Sequence, residues 1–272
     1  MRKKVIILLT LLMFTGSVIH GNVTSASDYE FNRTSAGITI TGYIGESTVV
    51  DIPSQIGGVP VIAIGDRAFN RKSLTSVTIP NSVISIEVMA FFNNQLTNVT
   101  IPNSVTSIGS GAFALNRLTS VTIPEGVNTI EFTVFSNNQL TSVTIPEGVT
   151  TIEEMAFSGN RLTNVTIPNS VTHIGDYVFN FNRLTSVTIP EGITSIGYHT
   201  FNTNQLTSII IPDSVTSIEW RAFSGNRLTS VTIGANVRIG PDALPSGFTD
   251  AYYYNGFEPG TYIMNGDEWE LE

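Results

Sequence analysis

Tyr177, Tyr198, His199, Trp220 and Arg221 are the residues whose types and spacing point most directly at recognition. Tryptophan, tyrosine and arginine combine large contact area with a polar or charged tip, and they dominate the energetics of protein interfaces. Tyr177, His199 and Arg221 follow one another at one fixed interval, and Tyr198 and Trp220 are separated by the same interval. In a chain wound into stacked coils about 4.8 Å apart, that spacing lines the five side chains up as one ridge. They are the candidate ligand-binding residues. The competing reading is that the rings lie flat over the turn below and shield its backbone.

Other reactive types are sparse. There is no cysteine, and of the three histidines His20 belongs to the N-terminal segment, leaving His173 and His199 at unrelated positions. No G-x-S-x-G elbow, H-E-x-x-H pair or phosphate-binding loop occurs, so no catalytic residue is nominated and no enzyme is expected. Carboxylates recur in two columns, Glu125, Glu147, Glu191 and Asp213 in one and Glu87, Glu131, Glu153 and Glu219 in the other. Calcium needs six to eight converging oxygens, which isolated carboxylates in turns do not supply. These columns read as solvated faces, and neither metal nor cofactor is expected.

The element behind every column is a 22-residue unit. Phenylalanine recurs at 69, 91, 113, 135, 157, 179, 201 and 223, and leucine five residues after each. Strict self-similarity at this period marks a solenoid, whose coils bury their apolar faces only against each other. In the copy 113–134, Leu118, Val121 and Ile123 have the spacing of a leucine-rich-repeat strand, with Ser120 and Thr122 facing outward. Pro124 lacks the N–H a ladder requires and ends the strand. The chain turns at Glu125-Gly126 and dips inward again at Val127 and Ile130. Asn116 recurs at 94, 138, 160, 182, 204 and 226, where a buried amide can bond the turn backbone and its neighbours. Between the inward isoleucine and the phenylalanine the copies diverge, and the five candidate residues fall in this variable stretch.

Both ends depart from the period. Segments 37–41 and 48–52 alternate like strands, and Ile52-Pro53 stands farther from Ile79-Pro80 than one repeat. After Ile233 the proline becomes Gly234 and one residue is lost before Ile239. Residues 260–271 read as a hairpin around Asn265-Gly266, a cover for an open edge. The expected organisation is a secretory leader at 1–26, an N-terminal cap and irregular coil at 27–68, eight repeats at 69–240 and a C-terminal cap at 241–272. The leader has Arg2, Lys3 and Lys4 before an apolar run, too short for a membrane span, and small residues at 24–26. Its removal takes those three from the 13 basic residues and leaves an excess of the 22 acidic ones. That balance argues against nucleic acid and anionic membranes as partners.

The run I-P-x-S-V-T-x-I-G-x-x-A-F-x-x-N-x-L-T-S-V-T resembles the BspA-type leucine-rich repeats of bacterial surface and secreted proteins. The first coil, D-I-P-S-Q-I-G-G-V-P-V, and the ending G-T-Y…N-G-D-E-W are similar to segments that flank such arrays. The resemblance spans residues 37 to about 240. It departs from the family in one column, where asparagine stands in place of a frequent cysteine. It implies a β-rich leucine-rich-repeat solenoid, with stacked parallel strands on the concave side and short turns or 3₁₀ or helical pieces on the convex side. It also implies an exported or cell-surface protein of adhesion type that binds host-matrix or other extracellular proteins or polysaccharides. The alternative is a structural or coat protein whose partner is another copy of itself.

Overall fold

The computed structural model describes residues 25–272. The expected leader, apart from its last two residues, lies outside them. The described chain winds into nine coils, counted by the short inward-facing strands from Ala63–Ile64 to Arg238–Ile239.

The sequence period is also the structural register. Ser120, Val121 and Thr122 pair in parallel with Ser142, Val143 and Thr144, and Thr129-Ile130 with Thr151-Ile152, each exactly the same step along the chain as the phenylalanines. Where the sequence slips, the register slips with it. Asp51 pairs with Thr78, a longer step than the repeat, and Ile218 pairs with Ile239, a step one residue shorter.

Two columns bind the coils together. From Phe69 to Phe223 the rings stack with centroids 5.1–5.8 Å apart and planes within 15°. Tyr43 extends the stack into the N-terminal cap, 5.4 Å from Phe69. Each such ring is buried, the apolar transfer that stabilises the coil. Beside it runs the asparagine column. Asn138 Nδ2 donates to the carbonyls of Phe113 (2.9 Å) and Phe135 (3.1 Å), and its Oδ1 accepts from Leu118 N–H (3.0 Å). The same three bonds recur at Asn94 and at Asn226. Each amide thus sutures its own coil to the one before, and all its bonds are to backbone that would otherwise be buried without partners.

The strand at Val121 is where the repeat places it, but this ladder closes only between some coils: Val49–Asp51 with Ser76–Thr78, Ser120–Thr122 with Ser142–Thr144, and Ser208–Ile210 with Ser230–Ile233. A second ladder runs along the inward isoleucines and the residue before each, in three runs. Within the repeats no 3₁₀ or α-helical turn occurs among the described residues; two-residue strands and tight turns take that place. The cause lies in the backbone. Two positions in each turn are left-handed, Thr133 (φ 53°) and Asn137 (φ 53°) in one coil and Tyr177 (φ 58°) and Phe181 (φ 52°) in another, and such residues interrupt any helix. From these positions N–H groups point along the solenoid axis: Thr133 donates to Glu154 O and Asn137 to Ser158 O of the next coil.

Both ends are covered. Tyr29–Arg33 pairs antiparallel with Ile38–Tyr43, which leads the second ladder. At the other end the expected hairpin forms, Gly260–Asn265 with Glu268–Leu271, and its first strand lies antiparallel on Ser230–Ile233. Between coil and hairpin runs a helix, Phe248–Tyr254, that the sequence did not announce. It seats Phe248 and Tyr252, one turn apart, on the end of the core against Tyr262. Tyr252 Oη donates to Gly234 O (2.8 Å) and accepts from Val237 N–H (3.0 Å), which clamps the shortened last coil.

Candidate functional site

Backbone geometry places the five candidate residues. Tyr177, His199 and Arg221 occupy the left-handed column (φ 54–58°), and Tyr198 and Trp220 the column just before it. A left-handed residue aims its side chain out of the turn, and the inter-coil bonds Tyr177 N–H to Tyr198 O (2.8 Å) and His199 N–H to Trp220 O (3.2 Å) hold the columns in step.

Four of the five form one continuous chain of contacts. The Tyr177 and His199 rings lie 4.8 Å apart and 8° from parallel. His199 meets Trp220 edge-on, at 4.8 Å and 89°. The Arg221 guanidinium sits 4.6 Å from the Trp220 ring centroid, a cation–π contact, while its Nε reaches Asp242 Oδ2 at 3.5 Å. The rings therefore pack on each other, and Trp220 remains 37% exposed. Tyr198 stands apart. It is 44% exposed, and its N–H is held by Asp176 Oδ1 at 2.8 Å.

Tyr198 borders a groove of about 490 Å³ that the sequence reading missed. Glu153, Glu154, Asp176 and Glu219 line it, and so does Arg238. Gly175 and Gly197 line it as well. The signal was present: in the column holding Glu131, Glu153 and Glu219, two successive coils carry glycine. A Cβ at Gly175 would come within 2.6 Å of Glu154 N, so the backbone there approaches too closely for a side chain. The second ladder also lapses at this point. Gly175 N–H donates to Ile152 O and Glu219 N–H to Ile196 O, but the equivalent bond from Gly197 to Ile174 is not formed.

His173 lies on the groove rim and His199 in the ridge, and among the described residues no group of three or more His, Cys, Asp or Glu side chains is arranged to hold a metal ion. The serine and threonine columns are largely exposed, with Ile210 breaking the threonine run at 69% exposure.

The repeat geometry has its counterpart in known proteins. The BspA type leucine rich repeat region matches residues 62–180 and 128–246, in six copies. This chain belongs to the BspA-type leucine-rich-repeat family. A leucine rich cell surface protein from Faecalibacterium prausnitzii is 30% identical, with a TM-score of 0.55 over 80% of this chain and 72% of that one. A leucine-rich repeat protein from Bacteroides ovatus is 25% identical, with a TM-score of 0.63 over 79% of this chain. This chain spans 66% of the length of that relative. The pneumococcal vaccine antigen PcpA shares the fold at 17% identity and a TM-score of 0.55, covering 82% of this chain and 86% of its own. No curated protein matches the sequence. The BspA-type match takes in all five candidate residues and ends before the hairpin.

Proposed function

We propose that this BspA-type protein is exported and binds extracellular proteins or glycans through the turn face that carries Tyr177, His199, Trp220 and Arg221. The observation that carries this reading is the chain of contacts itself. Three successive coils present mutually packed aromatic rings at or beside left-handed positions, where any residue other than glycine costs backbone energy. Rings pre-packed in this way lose little side-chain entropy on meeting a partner. The surface character of the Faecalibacterium prausnitzii relative, by its name a cell surface protein, supports the same location for this chain. Binding without catalysis is the activity of this reading. Self-association is the weaker one, because the hairpin Gly260–Leu271 covers Ser230–Ile233, an edge on which a second copy would add.

The test is a screen of residues 27–272 against immobilised extracellular-matrix proteins and polysaccharides at physiological salt. A saturable interaction with one class supports the reading. A folded, monomeric protein that captures nothing, or a chain that assembles with itself as concentration rises, counts against it.

A further inference from the structure

The groove beside Tyr198 says what chemistry the partner carries. Its surroundings offer hydrogen-bond acceptors with few donors to meet them. Glu219 is paired by Arg238, yet no ion pair reaches Glu153, Glu154 or Asp176 among the described residues. Glu153, Glu154 and Asp176 are each partly buried, so water screens them less than it does a free carboxylate. Ile174 also lines the groove, and its carbonyl is without its ladder partner where Gly197 fails to bond it. The exposed Tyr198 completes this part of the lining.

The carboxylates are spread along the groove and do not converge, which suits a side chain that reaches several acceptors better than a bare metal ion. A guanidinium has five donors, no acceptor and a planar face that stacks on aromatic rings. An ammonium matches the charge but offers neither the fork nor the plane. The whole chain carries an acidic excess, 22 acidic against 13 basic residues, which favours approach of a basic partner and disfavours a sulfated or uronic polysaccharide.

We propose that the aromatic ridge and the acceptor-lined groove beside Tyr198 form one docking surface for an arginine-bearing segment of a partner protein. The arginine enters beside Glu153, Glu154 and Asp176, clear of the Arg238–Glu219 pair, and lies along Tyr198, while apolar parts of the same segment cover Trp220 and His199. This rests on the ridge being the contact face; the arginine is the added claim.

The experiment titrates the protein with a fluorescent dodecapeptide holding three arginines, and with the same peptide carrying three lysines or three glutamates. Each is run against the natural chain, a Glu153→Gln/Glu154→Gln/Asp176→Asn variant and Trp220→Ala. Isosteric amides keep the acceptor that holds Tyr198 N–H, and unfolding curves verify that all three proteins fold. The expected result is saturable binding of the arginine peptide, several-fold weaker binding of the lysine peptide and none of the glutamate peptide. The triple variant should lose at least about tenfold in affinity together with most of the salt dependence. No binding of the arginine peptide at millimolar concentration, or equal binding by the triple variant, overturns the arginine assignment. If Trp220→Ala abolishes capture of a matrix partner that the triple variant still holds, the ridge stands and the arginine claim falls. Loss in the triple variant with Trp220→Ala unaffected overturns the joint surface, because the groove would then bind arginine without the ridge.

Discussion

Tyr177 and His199, one repeat apart in sequence, lie ring on ring with centroids 4.8 Å apart, both on left-handed backbone. The contact joins what the fold requires to what it leaves free. The turn demands a positive φ in coil after coil, but it leaves the side chain pointing outward, so the residue type there answers to something other than the core.

That demand is measurable. At Thr133 the left-handed turn holds a β-branched residue (φ 53°), the kind least suited to it, whereas Gly111 fills the same column with φ 65°. Thr133→Gly should raise stability by roughly 0.5–1 kcal/mol, the relief of strain exceeding the glycine's entropy cost. The converse holds at Gly159 in the second left-handed column (φ 70°). There an added Cβ would meet Asn137 Oδ1 at 2.8 Å, and Gly159→Ala should destabilise. Denaturant titration of the two variants checks both signs.

The asparagine column should be the least replaceable polar feature. Asn138→Ala removes the bonds to Phe113 O, Phe135 O and Leu118 N–H, all of them buried. Stranding buried backbone groups costs about 1–3 kcal/mol each where water cannot reach, so a total loss of about 2–4 kcal/mol is expected after local relaxation. Equilibrium unfolding of this variant beside Arg117→Ala, an exposed residue of the neighbouring column, separates the two cases.

Three cap tyrosines tie stability to alkaline pH. Burial raises Tyr43, Tyr252 and Tyr262 above the ordinary value of 10.0, and at Tyr43 the charge of Asp28 adds to it. The folded state therefore holds these protons when the unfolded chain has released them. Stability is fully present below pH 10 and falls as pH rises through the higher folded values. Tyr252→Phe should flatten part of that decline while costing the clamp on Gly234 and Val237 at neutral pH. Melting temperature followed from neutral to strongly alkaline pH reports both effects.

Much of this was legible in the chain. The columns of Phe69 to Phe223 and Asn94 to Asn226 recur at one period, and period translates directly into register, even to the lengthened step at Asp51 and the shortened one at Ile239. The hairpin was legible because Asn265-Gly266 is a turn signal. The helix Phe248–Tyr254 was not: tyrosine is a poor helix former, and what holds the helix is packing of Phe248 and Tyr252 on the core end. Left-handed turns at Thr133 and Tyr177 were hidden because those residues do not favour them; the inter-coil N–H ladder imposes the conformation. The groove was hidden for the opposite reason, since Gly175 and Gly197 reveal it by the side chains they lack.

Removal of residues 260–272 should convert the molecule into one that associates. It would bare the Ser230–Ile233 edge and withdraw Tyr262 and Trp269, both buried, from the end of the core. An uncovered strand edge is a template for another chain. Light scattering should show mass rising with concentration for the truncated chain and a constant mass for the natural one.

The most direct measurement is the affinity of the natural chain and of Trp220→Ala for whichever matrix component the screen identifies. Trp220 is 37% exposed and lies outside the core, so its truncation should lower stability only by the loss of its His199 and Arg221 contacts, about 1–2 kcal/mol, and leave the fold intact. If the ridge is the contact face, affinity should fall by about 2 kcal/mol or more, roughly thirtyfold. An affinity equal to that of the natural chain would contradict the account and send the search to another face of the solenoid.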